Sequence, residues 1–444
     1  MNGDEKQMRT PVKLTTLISS LKYFESALKK CTRCGMCMAV CPLYKATGWE
    51  TDSARGKIAL LSAITQEILS DGQSVSARTG RCLLCGACAL KCPRGIRAHE
   101  LLIQARACFA AYHGLSLIEK ILFRSLLSNP DRFDAVSDFG AKGLRFFSNF
   151  AGQAGVQNCP AIFFGGFLKP LTFKPFHDRI KEAPGPSSPS FLRKKTVKVG
   201  FFIGCLIDKF YPEVGMAALN ILCHSDVDVE TPMHQGCCGM PALAAGDRIS
   251  FIRLVQRHLA LFPVEKYDAI LSACPTCVVA IKHLWPLMMA NASPTLKERI
   301  RLLSEKTLDI HQFLYGLYKE RPMKEPAPDA LSMTYHAPCH LKKSLGIDQE
   351  PIFLMQMNPR VRLIGHKDAD ACCGFGGSFH LKHHDISLQI GERKRQSILK
   401  SGVRKVVTGC PACLLQLEEV FYRNQDDISV VHTMEIVSEI FVKG

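Results

Sequence analysis

The sequence lacks the features that would place it outside the cell or across a membrane. Its N-terminal segment, MNGDEKQMRTPVK, is polar and contains no apolar signal peptide. No stretch offers the about 20 predominantly apolar residues of a spanning helix, and the longest charge-free run, residues 146–168, is interrupted by Asn, Gln, Pro and four glycines. We therefore expect a cytoplasmic protein, with any membrane contact peripheral and on the inner face.

Recognition sequences for nucleotides and nucleic acids are also missing. The glycine-rich segment GFGGSF, residues 374–379, lacks the G-x-G-x-x-G spacing, so no flavin or nicotinamide site is predicted. The formal charge of +16 favours anionic partners, but no nucleic-acid-binding motif accompanies it, and nucleic acid is not an expected partner. Any hydride-transfer step would therefore belong to another polypeptide.

Cysteine, in contrast, is abundant, with 21 among the 444 residues. Because the count is odd and no signal peptide is seen, we predict reduced metal ligands rather than disulfides. Two runs near the N-terminus follow the pattern C-x2-C-x2-C-x3-C-P. Their cysteines are Cys31, Cys34, Cys37 and Cys41 in the first run and Cys82, Cys85, Cys88 and Cys92 in the second.

This pattern binds 4Fe-4S clusters in two-cluster ferredoxins, where the fourth cysteine of each run binds the cluster of the other run. We therefore predict two [4Fe-4S] clusters with crossed ligands. Structural zinc is the alternative, since C-x2-C pairs also form tetrahedral zinc sites, but two complete runs with a trailing proline favour iron. The first cluster is assigned to Cys31, Cys34, Cys37 and Cys92, and the second to Cys82, Cys85, Cys88 and Cys41.

A second cysteine pattern occurs twice in the C-terminal half. In each copy a single cysteine precedes an adjacent pair and then Cys-Pro-x-Cys, with gaps of 31, 35 and 2 residues in the first copy and 32, 36 and 2 in the second. This agreement indicates a duplicated domain. The first set is Cys205, Cys237, Cys238, Cys274 and Cys277, and the second is Cys339, Cys372, Cys373, Cys410 and Cys413.

Each set has more thiols than the four that a cubane cluster or a zinc ion takes. It therefore predicts a larger or distorted cluster, or one cysteine kept for redox chemistry. Gly239 and Gly374, which follow the adjacent pairs, would let the backbone turn so that both thiols face inward. A zinc site or a regulatory disulfide is the alternative.

The residues around these cysteines predict the fold class. Apolar, β-rich runs precede Cys205, Cys339 and each Cys-Pro-x-Cys, and helix-compatible sequence follows each Cys-Pro-x-Cys. Alternating strands and helices predict two related α/β units with cysteines at strand ends. We divide the chain into a ferredoxin-type domain (1–110), a phenylalanine-rich connector and linker (111–190), and two cysteine-rich domains (191–328 and 329–444).

The two five-cysteine sets resemble the CCG cysteine-rich domains of heterodisulfide reductases and of iron-sulfur subunits of 2-hydroxy-acid oxidoreductases. Over nearly the whole chain, the domain order resembles the glycolate oxidase iron-sulfur subunit family, as does DSARGKIALLSAI at residues 52–64. The resemblance implies a multidomain α+β and α/β protein that begins with an α-helical ferredoxin-like domain. It also implies electron transfer from an FAD flavoprotein that oxidises glycolate or D-lactate towards a quinone or another membrane acceptor.

One departure leaves a second interpretation open. Members of the glycolate oxidase group often have incomplete CCG sets, whereas both sets here are complete, as in heterodisulfide reductase, which has a subunit with this same domain order. In that family each complete set is associated with a non-cubane 4Fe-4S cluster that acts on disulfides. The resemblance thus implies one or two additional non-cubane clusters, and a thiol-disulfide reductase as the alternative function. We assign no catalytic residue.

Residues outside these motifs carry weaker predictions. Cys108, Cys159 and Cys223 fit no spacing and are expected to be buried, inert thiols. Arg55 and Lys57 begin a helical pattern between the two N-terminal runs, either as solvated residues or as contacts to a cluster or partner.

Three histidines and a connector complete the predictions. His234, His336 and His340 lie close to predicted ligands, where a structural role is favoured over tuning of a cluster. Eleven phenylalanines lie between residues 123 and 176 among Arg and Lys residues. They favour a hydrophobic bridge between domains, with a membrane or partner docking surface as the alternative hypothesis.

Overall fold

The computed structural model describes residues 14–136, 172, 174–182, 197–225, 227–323 and 325–441. An all-helical N-terminal domain is followed by two α/β domains, each built on its own four-stranded sheet, which confirms the predicted fold class. The domain boundaries stay predictions. Most of the phenylalanine-rich connector, residues 137–171, lies outside the described residues, and with it lie Cys159 and the basic residues Lys142, Arg145 and Lys169.

Short helices surround the two N-terminal cysteine runs. The longer ones bury apolar faces against each other; in the helix that begins at the N-cap Ser53, Ile58, Leu61 and Ile64 are 5%, 1% and 0% exposed. The Ser53 Oγ accepts the N–H of Gly56 at 3.2 Å, which starts this helix. The helices are α1 (Leu14–Lys22), α2 (Glu25–Lys29), α3 (Met36–Val40), α4 (Pro42–Thr47), a 3-10 turn (Glu50–Asp52), α5 (Ala54–Thr65), α6 (Gly72–Gly80), α7 (Ala87–Leu90) and α8 (Ala98–His113).

The described parts of the connector are helical. Helix α9 (Leu117–Lys120) continues into a π-helical segment (Ile121–Leu127), and α10 (Phe176–Glu182) packs on the first α/β domain. Phe176 is fully buried there, against Phe201 and the surface of Gly215. Between residues 174 and 182 the connector thus bridges onto the next domain through an apolar contact.

The first α/β domain has a parallel sheet in the order β2-β1-β3-β4. Helices cover the sheet, so its central strands are apolar, and all four residues of β3 are buried. Its elements are β1 (Val197–Phe201), α11 (Cys205–Phe210), α12 (Pro212–His224), β2 (Val227–Glu230), α13 (Met240–Ala244), α14 (Arg248–Leu261), β3 (Ala269–Ser272), α15 (Pro275–Val279), a π-helical turn (Ala280–Leu284), α16 (Trp285–Met288), α17 (Pro294–Lys306), β4 (Thr307–Asp309) and α18 (Ile310–Tyr318).

The second α/β domain repeats this topology, with a parallel sheet in the order β6-β5-β7-β8. The duplication predicted from cysteine spacing is therefore also present in the strand order. Its elements are β5 (Leu331–His336), a π-helical turn (His340–Ser344), α19 (Gln349–Gln356), β6 (Val361–Leu363), α20 (Ser378–Lys382), α21 (His384–Leu399), β7 (Lys405–Thr408), α22 (Pro411–Arg423), β8 (Ser429–His432) and α23 (Thr433–Ser438).

Ligand candidates follow the carboxyl ends of the central strands in both domains. Cys205 and Cys274 come after β1 and β3, and Cys339 and Cys410 come after β5 and β7. Adjacent parallel strands end at the same edge of a sheet, so these cysteines are brought together. Among the described helices, none is long and apolar enough to cross a membrane alone; α8 with the segment Leu117–Leu127 meets that test only as a pair bent by 115°.

Candidate metal centres

The first predicted group of four cysteines surrounds one cavity of the N-terminal domain. Its loop contains Arg33 (φ 56) and Gly35 (φ 83), and these left-handed backbone conformations turn the thiols to one side. Arg55 also lines the cavity, and its Nε pairs with a Glu50 carboxylate oxygen at 2.8 Å. The four cysteines here are Cys31, Cys34, Cys37 and Cys92, together with Cys88, which borders the neighbouring cavity as well.

The second group surrounds an adjoining cavity with the same local backbone. Leu84 (φ 56) and Gly86 (φ 72) occupy the positions of Arg33 and Gly35, so both runs fold their C-x2-C loops alike. The cysteines here are Cys41, Cys82, Cys85 and Cys88.

The fourth cysteine of each run lies beside the first three of the other run. The structure thus brings together the thiols of each crossed set, and four thiols around one cavity fit a 4Fe-4S cluster. The assignment of these thiols as ligands stays a prediction.

A buried cation lies beside the second cavity. Lys57 is 1% exposed, and its Nζ donates to the Asp52 carbonyl oxygen close to Cys41 and Cys82. Burial lowers the pKa of Lys57, and burial raises the pKa of Cys41 to about 11. A buried ammonium at this place would offset the negative charge of thiolate ligands. Lys57 was predicted to be either a solvated residue at the start of α5 or a contact to a cluster or partner. Its burial beside these thiols favours the contact to a cluster.

The five thiols of the first CCG set form one continuous chain of contacts. Gly239 has φ 92, and a Cβ on it would lie 2.8 Å from the Phe251 ring, so no side chain fits behind the adjacent pair. The Trp285 Nε1–H donates to the Cys238 carbonyl oxygen at 3.0 Å. Contacts between thiols run from Cys205 to Cys237, Cys238, Cys277 and Cys274 in that order.

The second CCG set has the same order of contacts. The Sγ atoms of Cys373 and Cys413 are 3.4 Å apart, and contacts continue to Cys372, Cys339 and Cys410. Gly374 has φ 101, and a Cβ there would lie 2.6 Å from the Ser387 carbonyl oxygen. Both glycines therefore adopt a backbone conformation that other residues rarely adopt, as the sequence predicted for the turn after each adjacent pair.

The cysteine groups lie in series. The thiol of Cys85 in the second N-terminal group lies against the thiol of Cys372 in the second CCG set. At the other side of that set, the Cys410 Sγ lies 3.9 Å from the Oγ1 of Thr276, two residues after Cys274 of the first CCG set. The Thr276 Oγ1 and the His340 Nδ1, 2.9 Å apart, join the two CCG domains at this point. The thiol groups are therefore neighbours in series, from the ferredoxin-type domain through the second CCG set to the first.

Several weaker predictions can be compared with the structure. His336 faces Cys373 and Cys413, with all three ligand atoms within 4.8 Å, whereas His234 is exposed and pairs with Asp131 at 3.1 Å. Cys108 is half-buried, and the prediction of a buried thiol is wrong for Cys223, which is exposed because it lies on the outer face near the end of α12.

Sequence reasoning missed the buried charges around the CCG sets. Lys394 is 3% exposed and Lys343 donates to the Asp370 carbonyl oxygen at 2.7 Å, next to the pair Cys372 and Cys373. In the sequence, Lys394 is one of three consecutive basic residues, and only burial distinguishes it. A comparison of the two repeats, position by position, would have drawn attention to it.

Comparison with known proteins agrees with this organisation. The model of the 4Fe-4S dicluster domain matches residues 27–96, and that of the cysteine-rich domain CCG matches residues 199–282 and 333–418. The chain is 27% identical over 436 residues to the probable glycolate oxidase iron-sulfur subunit of Bacillus subtilis, covering 94% of each chain.

Two further relatives match about half of the chain. One subunit of the fumarate reductase (CoM/CoB) of Methanothermobacter marburgensis is 30% identical over 241 residues, which are 54% of this chain and 46% of the relative. Lactate utilization protein A of an Exiguobacterium species is 28% identical over 241 residues, which are 54% of this chain and 97% of the relative.

Proposed function

We propose that this chain is an electron-transfer subunit of a hydroxy-acid oxidoreductase. It belongs to the iron-sulfur proteins that join a 4Fe-4S dicluster domain to two CCG domains. The single observation that carries the proposal is that the four thiol groups neighbour one another in series, from the cavity at Cys31 to the first CCG set at Cys274. Two relatives named for glycolate oxidation and lactate utilisation support the substrate class.

The chain's own residues have three tasks in this proposal. The four N-terminal thiols at each cavity hold a cluster, and iron-sulfur clusters accept and release single electrons. The buried Lys57 and Arg106 compensate thiolate charge in the N-terminal domain. Arg106 also ties the domains together, because its guanidinium donates to the carbonyl oxygens of Cys82 and Ala244 at 2.7 and 2.8 Å.

The oxidation of the hydroxy acid is assigned to a partner flavoprotein with FAD. Clustered thiols suit iron-sulfur centres that carry single electrons, so the role of this chain in the proposal is to pass electrons on. Glycolate is the first candidate substrate and D-lactate the second, with a quinone or another membrane acceptor at the end. A peripheral position on the inner face of the membrane belongs to the same proposal.

The test uses the native complex, isolated without oxygen, with visible absorbance of the iron-sulfur centres as the readout. Glycolate or D-lactate should bleach the absorbance when the flavoprotein partner is present. A Cys372→Ser variant should keep the fast bleaching of the N-terminal centres and lose bleaching of the CCG centres. Absorbance that stays constant with every hydroxy acid would contradict the proposal.

The second candidate function is a thiol-disulfide reductase. One observation favours it: both CCG sets bring five thiols into contact, with Cys372–Cys373 and Cys237–Cys238 as adjacent pairs. In this case only the pre-reduced protein would respond, and its colour would return when a disulfide is added. The same absorbance experiment therefore separates the two functions.

A further inference from the structure

Three equivalent positions around the two CCG sets can be compared, and the residue differs at two of them. The third residue before the first cysteine is Phe202 in the first domain and His336 in the second. The fourth residue after that cysteine is lysine in both, Lys209 and Lys343. The third position is His258 in the first domain and Lys394 in the second. Each lies on the long helix that follows the adjacent cysteine pair, α14 in the first domain and α21 in the second.

The equivalence on these helices follows from packing. A Cβ on Gly239 would meet Leu254 of α14 at 3.8 Å, and a Cβ on Gly374 would meet Ile390 of α21 at 3.1 Å. One helical turn further along, four residues on in each case, the side chain is His258 in α14 and Lys394 in α21. His258 and Lys394 therefore occupy the same place beside their adjacent pairs.

Hydrogen bonding makes His258 a neutral ring. It is 0% exposed, its Nδ1–H donates to the Leu254 carbonyl oxygen at 2.8 Å, and its Nε2 accepts the Gly236 N–H at 3.2 Å. One ring nitrogen donates and the other accepts, which requires the uncharged tautomer. The Phe202 ring lies 4.9 Å from the ring of His258, so this side of the first set is apolar and uncharged.

Lys394 places a buried charge at the equivalent point. It is 3% exposed, and its Nζ donates to the carbonyl oxygens of Asp368 and Ala369, at the start of the loop that holds the adjacent pair. Burial lowers the pKa of Lys394 to about 8, so the ammonium is still the main form at pH 7. In the described part of the chain, no carboxylate lies within 4 Å of its Nζ.

The two equivalent lysines have different partners. Lys209 bonds to the carboxylates of Asp134 and Asp208, which neutralise it. Lys343 donates to a backbone carbonyl oxygen, that of Asp370, and its charge acts on Cys85 across the domain contact. At the compared positions, the second set therefore has two cations without a carboxylate partner, Lys343 and Lys394, whereas the first set has none.

Other charges nearby do not reverse this difference. Arg257 donates to the His234 carbonyl oxygen near the first set, but these hydrogen bonds are exposed, where water screens the charge. Glu419 is buried near the second set, but Arg423 pairs with it at 2.9 Å. The net asymmetry is a more positive, more polar environment at the second set.

We propose that the second CCG set holds the centre of higher reduction potential, and that the charge of Lys394 produces this difference. Cations and hydrogen-bond donors stabilise the more negative, reduced form of an iron-sulfur centre, and burial strengthens the effect. Since Cys85 contacts the second set, electrons from the ferredoxin-type domain would collect there first. The inference rests on the proposed binding of clusters by both sets.

The test is an anaerobic redox titration of the iron-loaded, full-length protein, followed by electron paramagnetic resonance. Lys394→Met removes the charge, Lys394→Arg keeps it, and Lys400→Met removes an exposed cation just beyond the end of the same helix. Lys394→Met should lower the reduction equilibrium constant of the second-set signal about tenfold, which is about 59 mV for one electron. Both controls should titrate like the wild type.

Companion variants assign the signals and separate the possible failures. Cys238→Ser should remove the first-set signal and Cys373→Ser the second-set signal, each with loss of iron. If Lys394→Met keeps the signal and the wild-type potential, the inference is wrong while cluster binding stands. If neither cysteine variant changes the signal or the iron content, the inference and the proposed binding of clusters by the CCG sets are both wrong. If Lys394→Met loses iron, the His258→Lys variant tests the inference instead. It places a lysine beside the first set and should raise the reduction potential of that set, and an unchanged potential would contradict the inference.

Discussion

At the scale of single residues, the backbone near the centres is as constrained as the thiols themselves. Gly56 lies in α5, where a Cβ would come within 2.2 Å of the Glu50 carbonyl oxygen. That oxygen also accepts the Ser53 hydroxyl at 2.7 Å, so the turn before α5 has no room to move. This turn positions Asp52 and Lys57 beside the second cavity.

Gly56→Ala should therefore destabilise the N-terminal domain by roughly 3 kcal/mol or more, since backbone rather than a flexible side chain must shift. Thermal unfolding and iron content measure this effect. Gly316→Ala is the matched control: Gly316 lies in helix α18 with no atom within 4 Å of the added Cβ, so a gain of about 0.5–1 kcal/mol is expected. Equal unfolding midpoints for the two variants would contradict the prediction.

At the scale of elements, the helices next to the N-terminal thiols are too short to persist alone. Helix α3 has five residues, α4 has six and α7 has four, whereas isolated helices below about 12 residues are marginal in water. The CCG domains instead place their cysteines at the ends of buried, hydrogen-bonded strands. The fold around the N-terminal thiols should therefore depend more on bound metal than the fold of the CCG sheets does.

Removal of iron by a chelator should expose the N-terminal loops before the CCG sheets. Bound clusters stabilise the folded domain by mass action, and this stabilisation is lost with the metal. Hydrogen–deuterium exchange should rise first in residues 31–52 and 82–97, and last in β1, β3, β5 and β7. Simultaneous exchange in all of these regions would show that the prediction is wrong.

The docking of α10 should depend on pH through His177. Its Nδ1 bonds to Asp208 at 2.8 Å, with Asp134, Asp178 and Lys209 as the other charged groups around the ring, and the Asp208 hydrogen bond raises the pKa of His177. A raised folded-state pKa stabilises docking fully below the unfolded value of about 6.5, and the contribution is lost as pH rises through the folded pKa.

Limited proteolysis measures this dependence, because α10 contains Arg179 and Lys181 as trypsin sites. Cleavage there should accelerate as the pH is raised from 6 to 8, relative to cleavage elsewhere in the same chain. His177→Gln should cleave at one relative rate across this range. A pH dependence that survives in His177→Gln would assign the effect to other groups.

At the scale of the whole molecule, the domains meet where the centres meet. Leu43 and Leu83 of the N-terminal domain pack with Phe379 and Ile390 of the second CCG domain, around the contact of Cys85 with the second set. This apolar cluster determines how closely the two thiol groups approach. The rate of electron transfer between the two domains should therefore depend on apolar residues that are not themselves predicted cluster ligands.

Phe379→Ala tests this dependence. Phe379 is 2% exposed, and its truncation should cost about 3–5 kcal/mol and loosen the contact around Cys85. Electron transfer from the N-terminal centres to the second set, followed by stopped-flow absorbance, should slow down. Leu381→Ala on the same helix is the control, because Leu381 is 44% exposed and should leave the rate unchanged. Equal rates for both variants would contradict the prediction.

Much of this organisation could be predicted from the sequence. The fold class and the strands before Cys205, Cys274, Cys339 and Cys410 are confirmed, because each depends on local apolar runs and turn residues. The exposed position of Cys223 could not be predicted, because burial depends on which side of α12 faces the sheet. Cysteine is usually buried, and at this position the usual rule failed.

The sequence by itself determined the number and spacing of the thiols in the predicted centres, and the duplication, because residue type and spacing are properties of the chain. Only the tertiary structure decided that Cys85 contacts Cys372, that Cys410 lies beside Thr276, and that Lys394 is buried. The physical reason is that these contacts join residues far apart in the chain, through packing of whole domains. Local sequence does not encode the electric field that such packing creates around a buried site.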